Sequence, residues 1–139
     1  MTHFLALLTA GLLLVFSGLH IYWAAGGRWG IDAALPEING KRAITPPSMV
    51  TLFVAVALFA AALVVLGRLG IWGYFMPQWI FFWGIWALAI IFMLRAVGDF
   101  RFLGFFKRIH TTKFAYWDTV LFSPLCFLMA MALFFLAHS

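Results

Sequence analysis

Arg95–Asp118 reads RAVGDFRFLGFFKRIHTTKFAYWD and gathers two of the chain's four acidic residues with five of its nine Lys and Arg. On either side, 78–94 and 119–137 contain no Asp, Glu, Lys or Arg. Each flank matches the ~17–25 residues that an α-helix needs to cross a bilayer. A soluble helical hairpin would keep some polar face for water, and these flanks have none to offer. The stretch is therefore a polar connection between two membrane helices.

Working outward, apolar blocks recur at 4–25 and 49–67, each free of Asp, Glu, Lys and Arg. With 66% hydrophobic and 9% charged residues, the chain departs from the soluble balance of roughly 45–50% apolar and about 25% charged. Its mean hydropathy is +1.08. Backbone amides in hydrocarbon need internal partners, so only helices or closed barrels span. The blocks lack the alternation of barrel strands. The fold class is all-α, an integral membrane four-helix bundle, one domain over 1–139 with helices at about 4–25, 49–67, 78–96 and 119–137. The first block resembles a signal peptide in length, but lacks a basic start and a clean cleavage site, which predicts a retained helix. Cys126, the lone cysteine, lies in the last block and reads as a packing residue.

A net charge of +5 would suggest nucleic acid in a soluble protein. Here the positive-inside rule accounts for it, and no nucleic-acid partner is expected. Arg28, Lys41, Arg42, Arg95, Arg101, Lys107, Arg108 and Lys113 fall at one side of the bundle and Arg68 alone at the other. This asymmetry predicts a multi-pass cell-membrane protein whose first and third loops are cytoplasmic and whose termini are both outside.

Gly26-Gly27 offers the left-handed turn that ends a helix. The loop to Pro47 is long for a helix connection, carries the turn signal Asn39-Gly40, and is either a partial lid over the bundle mouth or a plain solvated hairpin. Ala55, Ala57, Ala60, Ala61 and Ala62 suit close helix packing in lipid. Trp79, Trp83 and Trp86 form a stripe that either packs against helices and lipid or walls a pocket. Ser123-Pro124 frees a carbonyl one turn back, and Asp118 has the chemistry of an N-cap for the last helix. Arg95 and Asp99 stand at i, i+4 spacing, unless a break at Gly98 and Gly104 lets Arg95 reach another helix instead; since a guanidinium stays charged, Arg95 must pair or reach the interface.

Three runs, LRAVGDFRFLGFFKR at 94–108, FAYWDTVLFSPLC at 114–126 and HIYWAAGGRWG at 20–30, resemble the small four-helix membrane proteins of the DUF3995 family. The resemblance covers nearly the whole chain and implies the four-helix membrane architecture, with no reaction attached. It points to His20, Trp23, Arg95, Gly98, Asp99, Arg101, Lys107, Trp117, Asp118 and Pro124.

Three functions remain open at this stage. The first is binding of a small anionic amphiphile or lipid headgroup in a pocket at the cytoplasmic side, lined by His20, Trp23, Arg95, Asp99, Arg101, Lys107, Trp117 and Asp118. The arginine fork suits carboxylate and phosphate, and the tryptophan stripe would hold an apolar body. The second is an intramembrane enzyme with His20 as acid or base beside Asp99 or Asp118. The third is an accessory subunit without ligand. No metal and no cofactor is expected, because ligand-spaced His or Cys pairs and glycine-rich nucleotide loops are absent. Membrane lipids are the expected partners, and a conducting role would call for a homo-oligomer.

Overall fold

Four long apolar helices follow one another through the structure, a computed structural model that describes residues 1–42, 44–98 and 104–139, apart from the Glu37 side chain. They are α1 (Thr2–Ala24), α3 (Ser48–Arg68), α4 (Gln78–Val97) and a last span, Lys113–His138. All four are long and apolar enough to cross a membrane. The last span is built from α5 (Lys113–Trp117), a π-turn (Asp118–Phe122) and α6 (Ser123–His138). It starts at Lys113 rather than near 119, because Thr112 caps it by accepting the Ala115 amide at 3.0 Å. Asp118 is therefore not an N-cap. The expectation for Asp99 and Arg101 falls outside the described residues.

The spans pack in a ring: α1 against α3, α3 against α4, α4 against α6, and α6 back against α1. First and third spans, like second and fourth, lie across the diagonals. Lipid supplies no hydrophobic force between helices, so close contact of small side chains does the work. Ala6, Ala10, Ala61, Ala62 and Ala89 are all buried, with Leu13, Val65, Ile85 and Leu133 filling the centre. Of the alanines on α3, Ala55 also packs inward, whereas Ala57 and Ala60 face outward. Ser17 donates to the Ala55 carbonyl at 2.8 Å, tying α1 to α3 inside the bundle.

At the end where α1 and α4 finish, called here the basic end, the long first loop forms α2 (Ile31–Ala34) and a two-residue hairpin, β1 (Glu37–Ile38) with β2 (Lys41–Arg42). Asn39 and Gly40 make its turn with φ of 51° and 72°, as the sequence signal predicts. Arg42 meets Asp32 at 2.8 Å, and α2 packs against α5. The loop thus folds over the start of the last span.

Candidate functional site

The charged residues of the basic end do not spread evenly over its surface. They separate into a buried cluster around Asp118 and an exposed rim. The cluster begins with Pro124. A proline inside a helix has no amide to donate and its ring collides with the carbonyl four residues back. The helix widens just upstream, where the Ser123 amide donates to the Asp118 carbonyl, five residues back. A π-turn of this kind commonly marks a functional position. Here it opens at Asp118, whose side chain has no exposure.

That carboxylate is enclosed by donors from three segments. Arg95, in the last turn of α4, gives Nη2 to Oδ1 at 2.9 Å. Oδ2 accepts from the Gly104 amide at 2.8 Å and from Lys107 Nζ at 3.0 Å. Lys107 gives its other two protons to the Gly104 carbonyl at 3.1 Å and to Thr119 Oγ1. Thr119 in turn donates to the Ala115 carbonyl at 2.9 Å. Every donor of the ammonium is engaged, as burial demands. Gly104 can approach so closely because it has no side chain: at φ +85°, a Cβ would lie 2.2 Å from the Val97 carbonyl oxygen. The adjacent Phe105 amide bonds the Ala96 carbonyl at 2.8 Å. The segment is thereby sealed onto the end of α4.

The expected site residues divide between this cluster and the rest of the bundle. Lys107 is buried at the basic end, its residue exposure being 4%. Arg95 reaches another helix and pairs with Asp118 on the last span, while its i, i+4 neighbour Asp99 lies outside the described residues. His20, half-buried on α1, gives Nδ1 to the Phe16 carbonyl at 2.7 Å and meets the Trp23 ring edge-on at 5.0 Å. Since a carbonyl oxygen only accepts, Nδ1 carries the hydrogen. Among the described residues His20 makes no bond to Asp118, and α1 lies diagonal to the helix that carries Arg95. Trp23 donates to the Trp29 carbonyl at 2.8 Å, and Trp117 is exposed, stacking edge-on with Tyr116. The tryptophan stripe does not wall a pocket near Arg95. Trp79 and Trp83 face outward, Trp86 pairs with Phe134 and His138, and at ~1.5 Å per residue even Trp86 is roughly 13 Å along the helix from Arg95.

Gly104, Thr112 and Thr119 complete the cluster and were not among the residues singled out from the sequence. The signal for them was the pairing of Gly104, in a run needing a break, with a hydroxyl directly after Asp118. Among the described residues, Arg95 Nη1 and Ser123 Oγ are buried polar atoms of this region without a hydrogen-bond partner. Among the described residues, no group of three His, Cys, Asp or Glu is placed to hold a metal ion. The exposed rim consists of Arg28, Lys41, Arg108 and Lys113, none of which forms an ion pair among the described residues.

A family model described as "Protein of unknown function (DUF3995)" matches residues 13–133, a span that includes both halves of the cluster. No curated protein and no solved structure matches the sequence.

Proposed function

The chain belongs to the DUF3995 family, and we propose that this member, one membrane domain over 1–139, holds a small anionic amphiphile or lipid headgroup at its basic end, with Arg95 as the cation that meets the ligand. The observation that carries this reading is the division of labour on one guanidinium: Nη2 bonds Asp118 while Nη1 is buried without an acceptor among the described residues. A buried donor left unpaired costs about 1–3 kcal/mol. A carboxylate or phosphate oxygen from a bound amphiphile relieves that cost, and the rim of Arg28, Lys41, Arg108 and Lys113 attracts such anions at ~1 kcal/mol per cation. The acid–base alternative has weaker support, because His20 is engaged within its own helix and the Asp118 oxygens already accept three bonds.

The test is the lipid that co-purifies in mild detergent with the unaltered protein and with Arg95→Lys. An ammonium can replace the bond to Asp118 but not the two-pronged geometry. The expected result is a roughly tenfold drop in retained anionic lipid, read below the melting point of both proteins. Equal retention refutes the site and leaves a subunit held together by a structural ion cluster.

The same reading places the basic end in the cytoplasm and both termini outside. In a Cys126→Ser background, an impermeant maleimide is expected to label Ser139→Cys in intact cells and Lys41→Cys only after permeabilisation. The opposite pattern overturns the orientation.

A further inference from the structure

Between α1 and α3 the outer surface of the bundle is not closed. Ser17, Ile21, Leu52, Ala55, Val56 and Phe59 line a furrow of about 210 Å³. Its floor follows from the bond of Ser17 to the Ala55 carbonyl, which draws the two backbones together. Ile21, Leu52, Val56 and Phe59 stand exposed along its sides. With the Ser17 hydroxyl turned onto a carbonyl, the surface offered to the membrane is apolar. Ile21 lies one turn before the end of α1 and Leu52 one turn after the start of α3, so the furrow reaches the basic end.

Just past that point the chain leaves α1 in a tightly held turn. The Gly27 amide donates to the Tyr22 carbonyl at 2.9 Å, and Gly27 lies so close on the Tyr22 ring that a Cβ would come within 2.3 Å of it. Trp29 is held on both sides of its backbone. Its amide donates to the Tyr22 hydroxyl at 3.4 Å, and its carbonyl accepts from Trp23 Nε1 at 2.8 Å. Arg28, between these two anchored residues, is exposed and forms no ion pair among the described residues. The Trp29 side chain is exposed too, and tryptophan settles at the headgroup level of a bilayer. Arg28 shares that depth. A cation at headgroup depth beside an apolar furrow at chain depth repeats the vertical order of an anionic phospholipid.

We propose that this face binds one anionic phospholipid, with its headgroup at Arg28 and an acyl chain along the furrow between α1 and α3. The site is separate from Arg95, because α1 lies diagonal to the helix that carries it. The furrow by itself selects no lipid: the membrane is as apolar as its walls, so a chain lying there gains only packing contacts. Selection comes from charge at the headgroup. Charge also decides against a second copy of the chain as the occupant. A two-fold pair on this face would set both basic loops, each with Arg28 and Lys41, side by side, and like charges across an interface weaken it.

The experiment uses the full chain in phosphatidylcholine vesicles that carry, in separate samples, phosphatidylglycerol or phosphatidylcholine with a diazirine on one acyl chain. Both probes are present at the same mole fraction, and mass spectrometry locates the cross-links after irradiation. Attachment around Ile21 and along 52–59 is expected to be about fivefold greater with the phosphatidylglycerol probe, the effect of one cation near the surface. Arg28→Gln should bring that ratio close to one, and Arg28→Lys, which keeps the charge, should preserve it. Leu52→Trp fills the furrow from its side and should lower attachment of both probes there severalfold. Arg95→Lys should leave the ratio unchanged, so failure of the reading given for Arg95 does not carry over to this site. A ratio near one in the unaltered protein overturns the proposal, as does a ratio that survives Arg28→Gln or attachment that survives Leu52→Trp. Attachment of neither probe overturns it as well and means that a second copy covers the face.

Discussion

Asp118→Asn keeps the shape of the buried cluster and removes its only described negative charge. In the native site the two carboxylate oxygens accept three bonds of 2.8–3.0 Å. Asparagine has one acceptor oxygen. Turned to serve the Gly104 amide and Lys107, it points its own NH₂ at Arg95 Nη2, donor against donor. Turned the other way, it loses both the amide and the ammonium. Either orientation leaves Lys107, whose side chain is 1% exposed, without the counter-charge it has among the described residues. Removing one member of a buried ion pair costs about 3–5 kcal/mol. The value for an exposed pair would be ~0–1 kcal/mol, so the measurement distinguishes the two. Lys107→Met alone should cost somewhat less, around 3 kcal/mol, because Arg95 still neutralises Asp118. In the double variant no ammonium remains to be stranded, and the total should fall short of the sum by at least ~1.5 kcal/mol. Sodium dodecyl sulfate titration in mixed micelles, followed by the fluorescence of the seven tryptophans, measures all three. Single costs below about 1 kcal/mol, or additivity within ~0.5 kcal/mol, would refute the buried-pair argument.

Further outcomes follow from the same packing. Gly104→Ala should destabilise by at least about 1–3 kcal/mol, given the positive φ and the clash with the Val97 carbonyl. Gly11→Ala, with nothing within 4 Å of the new Cβ, should instead stabilise by roughly 0.5–1 kcal/mol in the same titration. Ser17→Ala, which removes the bond from α1 to α3, should cost ~0.6 kcal/mol and no more than ~1.7; a larger loss would mean that the hydroxyl does more than tie two helices. Trp83→Leu should change stability by less than about 0.5 kcal/mol and leave lipid retention intact, since the side chain is exposed on the bundle's outer face.

Much of the architecture was legible without coordinates, for a reason specific to membranes. Hydrocarbon forbids an unpaired backbone, so an uncharged run of ~20 residues has only one way to be satisfied internally. That argument needs no knowledge of neighbours, and it located all four spans. The Asn39-Gly40 turn was equally local, because it rests on the backbone preferences of two residues. Start points were less secure. The last helix begins at Lys113 because Thr112 can cap it, and an apolar block says nothing about a cap that precedes it by several polar residues.

The site was legible as a list of residue types and not as a set of partners. In helices that are apolar nearly all round, periodicity does not reveal which face turns inward, so the outward Trp83 and inward Ile85 look alike in the sequence. Whether Arg95 meets Asp118, and whether Lys107 lies in water or under a loop, depends on which helices are neighbours and on Gly104 closing against the end of α4. His20 stands on a helix diagonal to Arg95 and bonds its own backbone instead. Local chemistry thus settled what must cross the membrane and which polar groups had to be accommodated. The packing order of four helices settled who accommodates whom, because ion pairs and hydrogen bonds act over ~3 Å, while the residues that form them here are up to 38 positions apart.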